Sequence, residues 1–226
     1  NKYVSKAFKD FGLMPIKADS SVFVSKDKLL ILALYVDDLL IFSPSQERIR
    51  VFKTFLLTNF KVRDMGNAAL ILSIKTTRDR QNRRLINDQT HYIEQLMSKY
   101  EISGSEITHK PTPASNAKSL LPKNFKSPEI EADMKVYQKL LGELNWLVRG
   151  TRPQNCFVTN RLAQSTCNPA ERHMTAAKRL LEYSSKSRFE YLIYSYGEDF
   201  DIKSQLLPVG YSDADFGNHP SRKSTN

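Results

Sequence analysis

The sequence predicts an α+β fold, and three observations predict it. Residues 21–25, 28–36 and 39–42 are short runs of β-branched, aromatic and leucine residues, the composition of a small antiparallel meander. Ile130, Met134, Tyr137, Leu141, Leu144 and Val148 recur at alternating spacings of four and three, the apolar stripe of a helix. Residues 191–196 and 206–215 then return to strand composition, with Gly210 placed for a bulge.

Each element has a local reason. Tyr3, Val4, Ala7, Phe8 and Phe11 stand at helical spacing, and Gly12 is placed to end that helix. After the meander, Ser43 is expected as an N-cap, with Pro44 at the first helical position and Gln46 closing a capping box. Ile49, Phe52, Leu56 and Phe60 give the helix its apolar face. Beyond Gly66, ALILSIKTT and RLIN flank the polar turn RDRQNR as a second hairpin, and Asp88 is placed to cap a helix through Ile93, Leu96 and Tyr100. Pro111, Pro113, Pro122 and Pro128 among Ser, Asn and Lys give residues 104–128 linker composition. After the long helix, Pro153 restarts a helix, and another runs through Met174, Ala177 and Leu181.

The composition narrows the function. With 226 residues, 40% of them apolar, the chain is long enough for one substantial core or two small ones. A net charge of +10 and a pI near 9.5 favour a polyanionic partner, because Lys and Arg that neutralise phosphates release counterions; a soluble basic protein with no such partner is the alternative. Cys156 and Cys167 are too few to staple a domain, and their spacing to His173 matches no common zinc pattern. The longest apolar stretch carries two charges at its middle, so no membrane partner is expected. Asn1 in place of an initiator Met is expected of a stretch from inside a longer polypeptide.

Those two charges are Asp37 and Asp38, set within LLILALYVDDLLIF. Neighbouring residues on a strand point to opposite faces, so adjacent carboxylates converge only where the chain turns. A hairpin apex between apolar strands would present both as oxygen ligands, the kind that hard divalent cations take in phosphoryl transfer. Asp is also favoured in turns for its own sake, so the dipeptide alone reads first as an ordinary turn and only second as a metal site.

The residues around it decide more. Tyr35-Val36-Asp37-Asp38 resembles the YxDD signature of reverse transcriptases, and the order of features resembles the polymerase of Ty1/copia-type retrotransposons over nearly the whole chain. The matching stretches are Ala18 to Val24, Asp64-Met65-Gly66, Ile71 to Ile74, Lys110 to Pro113, Leu141 to Leu147, Thr151-Arg152-Pro153, His173 with Ala176 to Leu181, and Gly210 to Asp215. The resemblance implies a partial palm over 1–103, the linker 104–128, a helical thumb and connection module over 129–187, and the first strands of a ribonuclease H-like domain over 188–226. It makes Asp37 and Asp38 catalytic carboxylates that bind Mg²⁺, two ions in a complete site, and makes Asp213 the first metal ligand of ribonuclease H. It places Tyr35 and Val36 beside the primer end, and Ser73 and Lys75 in or next to the segment that holds the primer strand. The implied partners are an RNA template, a DNA primer, their hybrid, deoxynucleoside triphosphates and other segments of the polyprotein.

The sequence departs from the family pattern in places. The further palm carboxylate is expected from a strand upstream of these residues, since Asp19, beside Ser20 and Ser21, reads as a turn residue. Ser73 stands where the family usually has Gly, Gln154 and Asn155 where it has Asp-Ile, and Ser221 where an acidic residue is common. Arg78, Arg80, Arg83 and Arg84 around the second hairpin turn, and Lys178 and Arg179 with Arg172 nearby, are candidate phosphate contacts; each group reads equally as a solvated charged surface. His173 is expected as a surface or capping residue, and Trp146 as core or a base-stacking platform.

Overall fold

The computed structural model describes residues 2–102, 114, 120–122 and 129–196. It is an α+β chain with six α-helices and two antiparallel sheets among these residues, divided into two compact units, Asn1–Thr76 and Thr77–Asn226.

In the first unit, α1 (Lys2–Asp10) ends before Gly12, whose φ of 97° a side chain would strain. Four strands follow, β1 (Leu13–Pro15), β2 (Val22–Ser25), β3 (Ile31–Tyr35) and β4 (Asp38–Phe42), paired antiparallel in that order, so β4 ends the sheet. The short β1 goes unnoticed in the sequence. Alternation along the strands sorts the two faces: Phe23, Leu32 and Ile41 stand in register on the face that meets α1 and α2 (Gln46–Asn59). Phe8 meets Phe23 edge-on at 5.1 Å and Phe11 meets Phe52 at 4.9 Å, and Phe8, Phe23, Leu32 and Phe52 are buried. Each such side chain contributes about 1.5–3 kcal/mol of burial. Met14, Val24, Ile31 and Phe42 line up on the opposite, open face.

The start of α2 differs from expectation. Ser45, not Ser43, is the N-cap, accepting from the Arg48 N–H; Ser43 Oγ instead donates to the Leu29 carbonyl and accepts from the Ser45 N–H. Asp64 accepts from Lys53 Nζ on α2 and from the Gly66 N–H, both at 2.9 Å, which fixes the Asp64-Met65-Gly66 turn to the helix.

The stretch ALILSIKTT is not one strand. β5 (Leu70–Ile71) turns at once through Leu72 and Ser73, at φ 51° and 65°, into β6 (Ile74–Asp79). Two positive φ values in a two-residue loop are the signature of a type I′ hairpin, which normally takes Asn-Gly. β6 runs into the second unit, where β7 (Arg84–Asp88) and β8 (Leu192–Ser195) follow it in the sheet.

The helices of the second unit are α3 (Thr90–Lys99), α4 (Met134–Gly150), α5 (Cys156–Ala163), preceded by a 3-10 turn at Pro153–Asn155, and α6 (Glu171–Lys186). Asp88 caps α3 by accepting from the Thr90 N–H and hydroxyl. Ile93 and Leu96 of α3 pack with Tyr137, Leu140, Leu144 and Leu147 of α4, Leu162 of α5, and Leu180 of α6 in one core. Three buried polar contacts tie these elements. Arg152, 1% exposed, donates to the carbonyls of Ser187, Arg188 and Glu190 at 2.6–3.0 Å. Asn155 Nδ2 donates to Ser184 Oγ at 2.9 Å. Thr151 Oγ1 donates to Gln89 Oε1 at 2.9 Å, and the Gln89 amide fills the space above Gly150 that any Cβ would need.

Candidate functional site

The hairpin β3–β4 builds its apex from simple parts. Leu32 on β3, Leu30 just before it, and Leu39 and Ile41 on β4 anchor it to the aromatic core, with Leu32 wholly buried. Tyr35 pairs with Asp38, leaving Val36 and Asp37 as a two-residue loop. Val36 has φ 52° and Asp37 is not in the positive region, the pattern of a type II′ turn. That turn normally takes Gly first. A β-branched residue held there costs of order 1–3 kcal/mol, and such strain collects at functional positions. Val36 is also 81% exposed, so no packing within the described residues explains the choice.

Asp37 and Asp38 are both exposed, neither buried nor on a helix. Tyr35, 58% exposed, shares the outward face of the ladder with Asp38. The donor set suits a hard divalent cation in kind, oxygen only, but falls short in number: no group of three His, Cys, Asp or Glu gathers to hold an ion among the described residues. Asp19 does not join it, because its carboxylate accepts from the Ser21 N–H and its carbonyl from the Val22 N–H in the turn before β2.

The other candidate residues are dispersed. Ser73 is exposed on the type I′ loop, and Lys75 and Arg78 are exposed on β6. Lys178 is exposed and Arg179 half-buried on α6. Asp213 lies outside the described residues, as do the rest of Gly210 to Asp215 and Lys110 to Pro113. Trp146 is partly exposed on α4. Among the described residues no helix is long and apolar enough to cross a membrane.

Two residues lie deeper than their residue type suggests. His173 does cap α6, accepting from the Ala170 N–H through Nδ1 at 2.9 Å, but it is wholly buried. Its other nitrogen, Nε2, lies 2.7 Å from the Leu121 carbonyl and 3.3 Å from Ser165 Oγ, and burial holds its pKa below the ordinary histidine value. Arg152 is enclosed by carbonyls, and burial lowers its pKa too. The signal for both lay in the flanking residues: Thr151 and Pro153 mark a tight junction, and small Ala176 and Ala177 mark a close-packed helix.

Comparison with known proteins fits this geometry. The family described as "Reverse transcriptase (RNA-dependent DNA polymerase)" matches residues 1–114. The chain is 28% identical over 204 residues to the retrovirus-related Pol polyprotein from transposon TNT 1-94 of Nicotiana tabacum, which covers 89% of this chain and 15% of the polyprotein. It is 26% identical over 219 residues to the putative transposon Ty5-1 protein of Saccharomyces cerevisiae, covering 96% of this chain and 67% of that protein. With the Pol polyprotein from transposon RE1 of Arabidopsis thaliana it shares 27% over 218 residues, 95% of this chain and 14% of the polyprotein. The chain thus spans about a seventh of the polyproteins it matches, and no solved structure matches it. Its YVDD hairpin, its family match and its relatives agree: the chain belongs to the reverse transcriptase family, as a polymerase region of the copia type.

Proposed function

We propose that this chain is the C-terminal part of a copia-type RNA-directed DNA polymerase, with Asp37 and Asp38 as the carboxylates that hold Mg²⁺ at the primer end. The observation that carries the reading is their placement: two adjacent acids exposed at the apex of a hairpin whose strands are anchored in an aromatic core. Bound there, two Mg²⁺ ions would lower the cost of charge on the attacking and leaving oxygens. The chain's own residues hold and orient. Tyr35 and Val36 flank the acids on the exposed side and meet the duplex end, and the strained turn fixes their direction. Pairing with the RNA template selects the deoxynucleoside triphosphate, while the basic surface, Lys75, Arg78, Lys178 and Arg179 among it, holds the DNA primer and hybrid by their phosphates.

Two carboxylates do not complete a two-ion site; on this reading the third comes from an upstream strand added beside β4, the last strand of the sheet among the described residues. On this reading residues 1–103 are palm, 104–128 linker, 129–187 thumb and connection, and 188–226 the opening of a ribonuclease H-like domain with Asp213 as its first ligand. Primer extension tests it: the 226-residue chain should incorporate nothing, and a longer chain with the upstream strand should extend the primer. Robust synthesis by the shorter chain would refute the missing carboxylate.

The net charge of +10 supports a second reading, a nucleic-acid-binding remnant of a retrotransposon without chemistry. Hybrid binding that depends steeply on salt, but not on Mg²⁺ or on an Asp37→Asn, Asp38→Asn variant, would favour it.

A further inference from the structure

The sheet of the second unit gathers two features that lie about 110 residues apart in the chain. The turn between β6 and β7 is arginine-rich: Arg78 to Arg84 holds four arginines and one aspartate. That aspartate, Asp79, is engaged within the turn, accepting from the Asn82 N–H at 3.0 Å and from its side-chain amide at 2.7 Å. β8, paired with β7, brings aromatic rings beside the turn. Leu85 stands opposite Tyr194, and Arg83 lies over the Tyr196 ring at 5.6 Å.

The rings are not core. Tyr194 is 55% and Tyr196 51% exposed, where burial would favour both. Two residues apart on extended backbone, they project from one face at a spacing of roughly 7 Å, room for one flat group on each. Exposed aromatic rings on a sheet, interleaved with guanidinium groups, are the arrangement on which unpaired bases stack while arginine meets the phosphates. A duplex does not fit this surface as well, because its bases are already stacked on one another and present no free face.

We propose that Tyr194 and Tyr196, with Arg83 on their face of the sheet, form a platform for single-stranded nucleic acid, separate from the Asp37–Asp38 apex. The ligand class is an unpaired RNA or DNA strand without sequence preference, since every base has a face to stack and the arginines read only the backbone. This goes beyond the polymerase reading and uses neither aspartate.

The test is fluorescence anisotropy of the full 226-residue chain with a labelled oligothymidylate or oligouridylate of about a dozen nucleotides, and in parallel with an RNA–DNA hybrid. Tyr194→Ala and Tyr196→Ala should each weaken single-strand binding by roughly five- to a hundredfold, Tyr→Phe at either site should keep it, and hybrid affinity should change by less than about twofold. Arg83→Gln should flatten the salt dependence of single-strand binding by roughly 0.7, and Arg84→Gln, opposite Ser195 on the other face, should change it less. Alanine variants that melt as the parent does yet bind single strands equally well would overturn the proposal. So would equal losses on single strand and hybrid. A parent chain that binds hybrid but no single strand would point to a protein segment covering the rings; that result defeats this platform and leaves the polymerase reading intact, whereas failure to bind hybrid strikes the polymerase reading.

Discussion

Asp38 faces Tyr35 directly across the β3–β4 ladder, so the carboxylate and the phenol share the outward face of the sheet while Asp37 occupies the turn beside them. The arrangement separates function from stability. Neither acid belongs to the core, whose nearest member along the hairpin is Leu39, the residue after Asp38. In a polymerase that includes the upstream strand, Asp37→Asn and Asp38→Asn should each cut primer extension at least about a hundredfold. Their unfolding midpoints should stay within about 0.5 kcal/mol of the parent. A large loss of stability would mean that the acids serve the fold.

Val36 gives a prediction of opposite sign. A valine replaced by glycine in an exposed loop ordinarily costs stability through chain entropy, by about 0.5–1 kcal/mol. At φ 52° the release of strain offsets this, so Val36→Gly should be neutral or stabilising by up to about 1 kcal/mol in urea unfolding. Primer extension should fall, because the turn loses its fixed direction.

His173 sets a pH dependence. Its Nδ1 accepts a backbone N–H, so the folded state keeps the ring neutral, and burial lowers its pKa from the ordinary value of about 6.5. Arg172 beside it opposes protonation and Glu129 favours it, the burial effect being the larger. Below pH 6.5 or so the unfolded chain then binds a proton that the folded chain refuses, and stability is lost progressively as the pH falls through this range. Urea midpoints measured between pH 8 and pH 5 should decline on the acid side, and His173→Gln should flatten the decline.

Arg152 is a structural arginine. Arg152→Met keeps the bulk but leaves the carbonyls of Ser187, Arg188 and Glu190 without their donor. The loss should be about 2–4 kcal/mol by denaturant titration, and Arg152→Lys should recover only part of it.

Much of the fold was legible because the signals were local. The spacing of Tyr137, Leu141, Leu144 and Val148 marks α4, and the apolar runs on either side of Asp37 mark the hairpin. The Leu72–Ser73 turn was hidden, since neither residue favours a positive φ and the surrounding β-type residues read as one continuous strand. The pairing of β7 with β8 could not be read either: Leu85 and Tyr194 are joined only by long-range topology. The capping role of His173 was legible but its full burial was not, and nothing in the sequence marked Arg152 as buried, since charged and polar residues usually face water unless carbonyls and backbone N–H groups enclose them. At the candidate site the acids, tyrosine and valine announced themselves as a motif, while the left-handed backbone at Val36 is a three-dimensional fact that no residue type encodes.

The last strand of the first sheet, Asp38–Phe42, carries no lysine or proline, starts at the acidic apex, and among the described residues has no strand paired with its outer backbone rim. Such a rim invites any extended peptide, including a like molecule, to zip onto it. If the polymerase reading holds, the added strand that completes the acidic site would also cover this rim, so a longer chain carrying it should stay dispersed where the 226-residue chain clumps.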